Sequence, residues 1–555
     1  CAAGAMDILK ETSEREGHVL LPQIELESKA SNLLGVEASQ ITDVINELIK
    51  RELVFVEKFL PLNQKKSVHS IYLQPLYCAE EEVSKRVKIL SEQKKDIARI
   101  NLAIQKRGLT GESTEEKLSN YAKQALEGGQ ANNEQSLAIE KSLLDKVLVI
   151  TGGPGTGKTT VIKAITNLYN NLGLQILLGA PTGRASKRLS EVTNHKATTI
   201  HRMLEYDWGS GGFLKDSSNP LTSDCIIIDE SSMLDIYLTS SLLRAIPDNC
   251  TVIMVGDVDQ LPSVGPGNVL KDIIESRSVT VVRLTQIYRQ NEKSLIVQNA
   301  HRINQGNLPV EGIMDIKNKI IPDYLFVEES DPENCVNKIL ELCKNRIPAQ
   351  YELDPINEIQ VISPMQRGTL GVKNLNICLQ EILNPKIGSE NFNIGDRSFR
   401  VGDKLIQIRN NYEKNIFNGD IGVIQNCDIS NSTIKVAYDS NLIEYSFNEL
   451  DELTHAFAIT VHKSQGSEYP VVIIPLHTQH YPMLQRNLVY TALTRAKKLV
   501  VFVGTKKAMS IAVRNGDVKQ RYSLLSDRLM VSTQKNVENT NNSDNNELTY
   551  HPLEN

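Results

Sequence analysis

The sequence predicts an α/β protein with two parallel sheets covered by helices, a small β-barrel inserted into the second, and a helical, winged-helix-like unit at the start. Short aliphatic runs that end in Gly- or Asp-containing turns alternate with helical stretches between residues 147 and 286, and they resume at Glu358. Such alternation indicates parallel sheets that are buried on both faces. Residues 396–453 contain short strands with Asn-Gly turns, which are typical of a small barrel.

The composition is that of an ordinary globular protein. The chain has 555 residues, of which 40% are hydrophobic and 23% charged, which allows three or four domains of about 150 residues each. Its formal net charge of −6 means that any nucleic-acid surface must be a local basic stretch. No apolar run reaches the roughly 18 residues of a membrane helix, and the eight cysteines form no CxxC pair. We therefore expect no membrane segment and a reducing, cytoplasmic location.

The first part of the chain is predicted to be a small helical unit. Three stretches with helical apolar spacing precede two strand-like stretches around the turn LNQKK, an order typical of a winged-helix-like domain. A helical adaptor without a ligand is the alternative interpretation. Helices are predicted at Met6–Glu16, Glu25–Leu34, Ser39–Arg51 and Glu80–Gln105, and strands at Leu53–Phe59 and His69–Pro75.

A phosphate-binding loop is predicted where GGPGTGKT fits the pattern GxxxxGK[ST], between the strand VLVI and the helix-forming stretch Thr160–Leu168. Glycines let backbone N–H groups wrap phosphate oxygens, and the start of a helix adds a favourable dipole. Lys158 is expected to neutralise the β and γ oxygens, and the Thr159 hydroxyl to bind Mg²⁺. The predicted binding residues are Gly152, Gly153, Pro154, Gly155, Thr156, Gly157, Lys158, Thr159 and Thr160.

An acidic pair ends the strand Cys225–Ile228. Asp229 is predicted to hold Mg²⁺, usually through water, and Glu230 to polarise the attacking water. An Asp-Glu pair is common by itself, but this one follows the phosphate loop on a strand of the same predicted sheet.

Three further polar residues are candidates for sensing the γ-phosphate. Gln260 closes the segment VIMVGDVDQ, Arg289 lies in LTQIYRQ, and Arg495 lies in VYTALTRAKK. An arginine that reaches across a domain cleft stabilises the charge on the transferred group, so that hydrolysis depends on closure of the cleft.

Eight motifs follow one another in the order found in superfamily 1 helicases. They are TGGPGTGKTT, APTGRAS, TIHRML, IIIDESSMLD, VGDVDQLPSVGPG, LTQIYRQ, AITVHKSQGSEYPVVIIP and YTALTRAKK. The chain most closely resembles the RecD-like DNA helicases, the stand-alone bacterial relatives of the RecD subunit, over residues 133–509. The resemblance implies two RecA-like P-loop NTPase domains, with the inserted barrel similar to a small SH3-like domain.

The resemblance also implies roles for single residues at the nucleotide. Gln135 looks like the glutamine that recognises adenine, Tyr288 like the aromatic residue that stacks on the base, and Glu468 like the carboxylate near the ribose. Gln260 resembles the residue that couples the γ-phosphate to nucleic acid, and the two arginines resemble the γ-phosphate arginines of the family.

A single-strand path is implied by the same motifs. Residues 205–222 correspond to the β-hairpin that splits the duplex, and Trp208 there could stack on a base, wedge a junction or pack the base of the hairpin. Local basic stretches at residues 181–202 and 485–507 favour a groove that follows a phosphate backbone. The residues matching the path are Pro181, Thr182, Arg184, His201, Thr460, His462 and Lys463.

Pattern and resemblance together predict the domain organisation. The chain begins at Cys1, and the family usually carries more chain upstream, so a fragment is expected. The predicted units are 1–107 (N-terminal unit), 108–134 (linker), 135–295 (first RecA-like domain), 296–395 with 454–530 (second), 396–453 (barrel) and 531–555 (disordered tail).

The predicted function is that of an ATP- and Mg²⁺-dependent DNA helicase of the bacterial cytoplasm, acting in repair or recombination. Its expected partners are single-stranded DNA, junctions with duplex, and a protein at the N-terminal unit, with the chain itself a monomer. The 5′→3′ direction is implied by the resemblance alone. The alternatives are an RNA helicase, a translocase that does not separate strands, and a non-hydrolysing subunit of a nuclease complex. The intact set of Lys158, Asp229, Glu230 and Arg495 argues against the last.

Overall fold

The computed structural model describes residues 1–59, 68–93, 95, 132–207, 209, 211–286, 294–312, 322–386, 391–394, 397–411, 413–438, 441–516 and 521–530. The predicted tail, most of the predicted linker, Trp208, Tyr288 and Arg289 lie outside these residues.

The N-terminal unit has the order helix, strand, helix, helix, hairpin, which is that of a winged helix. Its elements are α1 (Ala2–Glu16), β1 (Leu20–Pro22), α2 (Gln23–Leu34), α3 (Ala38–Lys50), β2 (Val54–Phe59), β3 (Val68–Leu73) and α4 (Gln74–Glu92). The strands form an antiparallel sheet in the order β1-β3-β2. The short strand β1, which the sequence pattern did not indicate, completes this sheet.

The first large sheet has six parallel strands in the order β11-β4-β10-β9-β5-β6. Its strands are β4 (Val147–Gly152), β5 (Ile176–Ala180), β6 (Ala197–Thr199), β9 (Cys225–Ile228), β10 (Thr251–Gly256) and β11 (Thr280–Leu284). Its helices are α5 (Asn133–Leu144), α6 (Lys158–Asn171), α7 (Gly183–Thr193), α8 (Ile200–Met203), α9 (Ile236–Ala245) and α10 (Val269–Ser276), with a 3-10 turn at Ser231–Met233. The two-stranded hairpin β7 (Tyr206–Asp207) and β8 (Gly212–Phe213) lies outside this sheet.

The faces of this sheet follow the two-residue period of a strand. Val147 and Val149 of β4 pack into one hydrophobic cluster, whereas Leu148 and Ile150 pack into the cluster on the other face. The first cluster continues into α4, so the N-terminal unit covers one face of the sheet. Arg86 of α4 reinforces this contact by donating hydrogen bonds to backbone carbonyls at the end of α9.

The second large sheet has five parallel strands in the order β12-β23-β22-β13-β21. They are β12 (Tyr324–Glu328), β13 (Ile359–Ser363), β21 (Ala458–Thr460), β22 (Tyr469–Leu476) and β23 (Ala496–Gly504). Around them lie α11 (Leu295–Asn304), α12 (Pro332–Glu341), a π-helical turn at Leu342–Arg346, α13 (Ile347–Tyr351), α14 (Val372–Leu383), 3-10 turns at His462–Ser464 and Thr478–Met483, α15 (Arg486–Leu493) and α16 (Lys506–Arg514).

The inserted unit is an antiparallel sheet in the order β19-β18-β17-β16-β20, with a separate β14-β15 pair. Its strands are β14 (Asn391–Ile394), β15 (Arg397–Arg400), β16 (Lys404–Gln407), β17 (Ile421–Asp428), β18 (Thr433–Tyr438), β19 (Asn441–Ser446) and β20 (Leu453–His455), with a 3-10 turn at Phe447–Glu452. The sheet extends two residues beyond the predicted end of the barrel at 453. In the described part of the chain, no helix is long and apolar enough to cross a bilayer.

Candidate nucleotide and nucleic-acid site

The phosphate loop leaves β4 at Gly152 and enters α6 at Lys158. The Lys158 ammonium lies inside the loop, where it donates to the carbonyl oxygens of Gly152 at 2.5 Å and Gly153 at 3.0 Å. Gly155 and Gly157 have φ angles of +74° and +84°, which residues with a Cβ rarely adopt. The glycines therefore allow the tight turn that leaves the first N–H groups of α6 for an anion.

The helix before the loop is fastened to it and to β11. The buried Gln135 amide donates a hydrogen bond of 3.4 Å to the carbonyl oxygen of Thr156 in the loop. The neighbouring Glu134 carboxylate accepts from the N–H of Thr285 at 2.7 Å and of Gln286 at 3.2 Å. Although burial opposes the change, a hydrogen bond from the Thr285 hydroxyl and these two backbone hydrogen bonds lower the pKa of Glu134. The helix that carries Gln135 is thus held against the phosphate loop and against the segment that follows β11.

Asp229 and Glu230 stand side by side where β9 ends. Asp229 N–H donates to Gly179 O at 2.9 Å, and Glu230 N–H donates to an Asp229 carboxylate oxygen at 2.8 Å. Burial raises the pKa of Asp229 to about 6, and the charge of Glu230 adds to the effect, while Lys158 and Arg188 oppose it. Glu230 has a φ of +52°, a strained conformation that orients the second carboxylate.

Thr159 offers a hydroxyl oxygen and Asp229 a carboxylate, which are the kinds of oxygen ligand that magnesium binds. The charge of Glu230 helps to raise the pKa of Asp229, and a divalent cation would stabilise this concentration of negative charge. In the described ranges, no three His, Cys, Asp or Glu side chains cluster as a metal site. A hydroxyl and one carboxylate, completed by water and phosphate oxygens, is the set that Mg²⁺ prefers.

Gln260 lies where the two large sheets meet. Its amide donates to the Asp257 carboxylate at 3.2 Å, and the hydroxyl of Tyr490 on α15 donates to the same oxygen at 2.8 Å. A Cβ on Gly153 would lie only 3.1 Å from that hydroxyl. One buried carboxylate oxygen therefore joins the phosphate-loop side of the site to a helix of the second sheet.

Arg495 follows α15 and is 3% exposed. Its guanidinium donates to Thr491 O at 3.2 Å, Ser467 O at 3.3 Å and the Thr494 hydroxyl at 3.3 Å. No carboxylate lies within ion-pair distance of it among the described residues. A buried guanidinium held only by neutral acceptors is suited to receive an anion.

Glu468 takes part in a bridge between the two halves of the protein. One oxygen is 2.5 Å from Arg188 on α7 and the other is 3.4 Å from Lys497 on β23. Arg188 and Lys497 therefore form ion pairs with Glu468, the carboxylate that is predicted to lie near the ribose. Its role at the ribose stays a prediction.

The predicted single-strand residues Pro181, Thr182 and Arg184 lie at the end of β5 and the start of α7. Thr182 caps α7 by accepting from Ala185 N–H at 3.3 Å. The Arg184 guanidinium donates to the Tyr469 hydroxyl at 3.0 Å and lies 5.0 Å from the centre of its ring. This segment therefore contacts the second half of the protein directly.

The remaining path residues lie on both sides of this contact. The His201 ring is 5.6 Å from that of Phe213 in the hairpin, and burial lowers its pKa. Thr460 ends β21 and its hydroxyl accepts from Lys463 N–H at 3.3 Å. His462 is exposed and burial lowers the pKa of Lys463. The predicted path residues thus lie on elements of both sheets.

Three families of known domains match the chain in the order of these elements. An AAA domain matches residues 135–266, the SH3 domain of ATP-dependent RecD-like DNA helicases matches residues 375–438, and a UvrD-like helicase C-terminal domain matches residues 455–503. The SH3 match is the decisive one, because it falls on the inserted barrel. By these matches the chain is similar to the RecD-like DNA helicases.

Relatives of this RecD-like chain cover different shares of it. The ATP-dependent RecD2 DNA helicase of Deinococcus radiodurans is 37% identical over 381 residues, which are 69% of this chain and 50% of that protein. The RecBCD enzyme subunit RecD of Mycobacterium tuberculosis is 28% identical over 421 residues, 70% of this chain and 72% of that protein. A crystal structure of Pif1 helicase from Bacteroides, in complex with ADP-AlF3 and ssDNA, aligns with a TM-score of 0.41 and 19% identity over 74% of this chain and 97% of that one. The chain spans about half the length of the Deinococcus relative.

Several residues at the RecD-like site were not predicted from the sequence. They are Asp257, Tyr490 and Tyr469. Asp257 contacts Tyr490, and Tyr469 contacts Arg184, so each contact joins the two sheets through residues more than 200 positions apart in the sequence. Glu134 is the exception, because its place beside Gln135 in NNEQ was a usable signal. A polar residue next to an expected nucleotide contact, on the same first turn of a helix, is a candidate for fastening that helix.

Proposed function

We propose that this protein is an ATP-dependent DNA helicase that moves along single-stranded DNA and separates duplex strands. The observation that supports the proposal is that two incomplete sets of charges belong to two sheets that contact each other beside the phosphate loop, where the Tyr490 hydroxyl meets Asp257. Lys158, Asp229 and Glu230 belong to the first side, and Arg495, without a carboxylate partner in the described part of the chain, follows α15 on the second. Neither side alone can neutralise a triphosphate and activate water.

The side chains at the phosphate loop and on the second sheet divide the work of ATP hydrolysis between them. Lys158 and the first N–H groups of α6 bind the phosphates, and Glu230 orients the attacking water. Mg²⁺ held by Thr159 and Asp229 would shield the negative charge that grows on the phosphate oxygens. Arg495 stabilises the same charge from the opposite side, so hydrolysis requires that the two halves be closed.

Closure is linked to single-stranded DNA because the elements of the cleft also carry the path residues. Arg184 and Lys463 belong to different halves, so a change in their separation alters their grip on a phosphate backbone. Movement in the 5′→3′ direction, action on junctions and a role in repair or recombination are part of the proposal, and they rest on the likeness to RecD-like relatives. A monomer that binds a protein through the N-terminal unit, in the bacterial cytoplasm, completes it.

The steady-state rate of ATP hydrolysis tests the proposal, measured with no nucleic acid, with single-stranded DNA and with a polyribonucleotide. We expect strong stimulation by DNA and little by RNA. Lys158→Ala should abolish hydrolysis and keep most of the DNA binding, whereas Lys271→Ala, at a lysine on α10 away from the loop, should change neither. Tailed DNA duplexes with a 5′ or a 3′ overhang then test strand separation and its direction.

The outcomes separate the alternatives. Stimulation by RNA alone would replace DNA with RNA as the track. Stimulation by DNA without strand separation would leave a translocase. An absent rate in the unaltered protein would favour a non-hydrolysing subunit of a larger complex.

A further inference from the structure

The loop that follows Gln260 is the meeting point of three distant parts of the chain. We call residues 261–267 (LPSVGPG) the coupling loop. At its start, Leu261 N–H donates to the Thr491 hydroxyl at 2.9 Å, and Leu261 O accepts from the Gln465 amide at 3.0 Å. At its end, Gly267 N–H donates to Gly17 O at 2.9 Å. The loop therefore runs from the second sheet to the end of α1 in the N-terminal unit.

Arg521 holds the middle of the coupling loop. One guanidinium nitrogen, Nη1, lies 3.0 Å from the Ser263 hydroxyl, 2.8 Å from Gly265 O and 2.6 Å from Gly267 O. The other, Nη2, donates to Ser263 O at 2.7 Å. Two of its nitrogen atoms thus bridge three residues of a loop whose carbonyl groups are not part of any sheet.

The N-terminal unit closes the other side of this guanidinium. A Cβ on Gly17 would lie 2.4 Å from the Arg521 Cζ atom, and Gly17 has a φ of +75°. Both facts favour glycine at this position. The guanidinium is therefore confined between α1 and the coupling loop, and a flexible or shorter side chain could not reproduce its planar set of donors.

The chain after Arg521 is anchored separately. The Tyr522 ring stacks on His18 with centroids 4.6 Å apart, and Leu525 is fully buried in the cluster that joins α4 to the first sheet. The buried Glu80 carboxylate accepts from Leu524 N–H at 3.0 Å and from Arg528 at 3.1 Å. Residues 521–530, which follow the second sheet in the chain, are thus packed between the N-terminal unit and the first sheet.

We propose that Arg521 is a positioning residue which fixes the coupling loop, so that Gln260 transmits DNA binding to ATP hydrolysis. The loop begins at the residue next to Gln260 and at contacts with Gln465 and Thr491, which belong to the motif segments that carry the path residues and Arg495. Without Arg521 the coupling loop keeps only the contacts at its two ends and its middle is no longer held, so movement at the DNA no longer moves Gln260 in a defined way. This inference rests on the proposed function.

Arg521→Gln tests the proposal, because the amide is planar but carries fewer donors and no charge. We expect the ratio of DNA-stimulated to unstimulated kcat to fall at least tenfold, with the unstimulated rate within twofold and the Kd for single-stranded DNA within threefold of the unaltered protein. Arg521→Lys, which keeps the charge and loses the fork of donors, should give an intermediate ratio. Asp527→Asn lies on the same segment without contacting the coupling loop and should keep the full ratio.

Gly17→Ala disturbs the Arg521 guanidinium from the side of the N-terminal unit, because the added Cβ would clash with it. This variant should also lower the ratio of DNA-stimulated to unstimulated kcat. An unchanged ratio in Arg521→Gln would overturn the positioning role while leaving the proposed function intact. A parallel loss of both rates together with a lower Tm would overturn it as well, since that is a purely structural effect. No stimulation in the unaltered protein would overturn the proposed function and this inference together.

Discussion

The charges around the phosphate loop are unequally neutralised. Asp229 lies beside Glu230 and its pKa is raised to about 6. Arg495 is buried against neutral hydrogen-bond acceptors. An unpaired buried charge destabilises a fold by several kcal/mol. A magnesium nucleotide bound at the phosphate loop, as proposed above, would compensate these charges.

Arg495→Ala should leave nucleotide binding nearly intact and reduce the rate of hydrolysis by about 10³-fold, the effect of an arginine that stabilises the transition state. The reason is that Lys158 and the loop N–H groups hold the ground-state phosphates without it. The check is kcat at saturating DNA, with nucleotide Kd measured separately. Arg514→Ala, at an exposed arginine that ends α16, is the control. A full rate in Arg495→Ala would remove this residue from the site.

Lys463→Ala should weaken binding to single-stranded DNA and reduce the slope of log K against log[salt] by about 0.7, the value for one phosphate contact on a single strand. Lys463 is half-buried beside Thr460, where a phosphate would compensate for lost water. Lys50→Ala, at an exposed lysine of α3, should change neither quantity. Fluorescence anisotropy at several salt concentrations makes the comparison. An unchanged slope in Lys463→Ala would place this lysine outside the path.

At the scale of elements, the N-terminal unit resembles a DNA-binding domain in topology but not in charge. Residues 1–59 contain eleven acidic and six basic residues. In a winged helix, α3 would be the helix that enters a groove, yet its exposed positions include Asp43 and Glu47. A negative face repels phosphates. The charge of this unit therefore fits a contact with protein better than one with DNA.

The regular elements were predictable from the sequence because their signals are local. The runs that form β4, β9 and β10 are continuous and aliphatic, and the glycines of the phosphate loop stand at a fixed spacing. The three-residue strands β6 and β21 were missed, since so short a run has no period, and the five-residue strand β12 was missed as well. The Asp257–Tyr490 contact, the Glu468 bridge and the docking of Arg521 depend on long-range packing, which no local pattern encodes.

Docking of α10 against residues 521–530 should depend on pH through Asp272. Burial, with the charges of Glu80 and Glu275, raises the pKa of Asp272 to about 7, and one of its oxygens is buried without a hydrogen-bond partner in the described part of the chain. The folded state keeps a proton that the unfolded state loses near pH 4. The free energy of unfolding should therefore fall as the pH rises from about 4 to about 7, and then level off.

Asp272→Asn should remove this dependence, because the amide stays neutral. We expect the variant to be more stable than the unaltered protein at pH 8 by on the order of 4 kcal/mol, and to match it near pH 4. Thermal unfolding followed by circular dichroism at the two pH values gives the difference. Asp7→Asn, at an exposed acid of α1, is the matched control. Equal stability at pH 8 would mean that Asp272 is already charged there at little cost.

At the scale of the molecule, the two halves are joined by polar contacts at the site itself. Arg184 meets Tyr469, Glu468 joins Arg188 to Lys497, and Leu261 meets Thr491. Polar contacts of this kind can separate at modest cost, because water replaces them. An apolar interface would resist opening more strongly. The arrangement therefore suits a cycle in which nucleotide and DNA bias the same opening and closing movement.

Tyr490→Phe tests whether this movement passes through the buried carboxylate of Asp257. Burial and the nearby Asp257 raise the pKa of Tyr490 well above its ordinary value, so the hydroxyl stays protonated and keeps donating. Phenylalanine preserves the packing of α15 and removes only that donor, leaving a buried carboxylate short of a partner at a cost of about 1–3 kcal/mol.

Because Gln260 binds the same Asp257 oxygen, we expect DNA-stimulated kcat to fall about tenfold, the effect of roughly 1.4 kcal/mol, with nucleotide Kd within twofold. Tyr481→Phe, at a tyrosine that is 68% exposed, should behave like the unaltered protein. If Tyr490→Phe keeps its full stimulated rate, the link between the halves runs through the Leu261–Thr491 contact instead, and Thr491→Val becomes the substitution that must lower it.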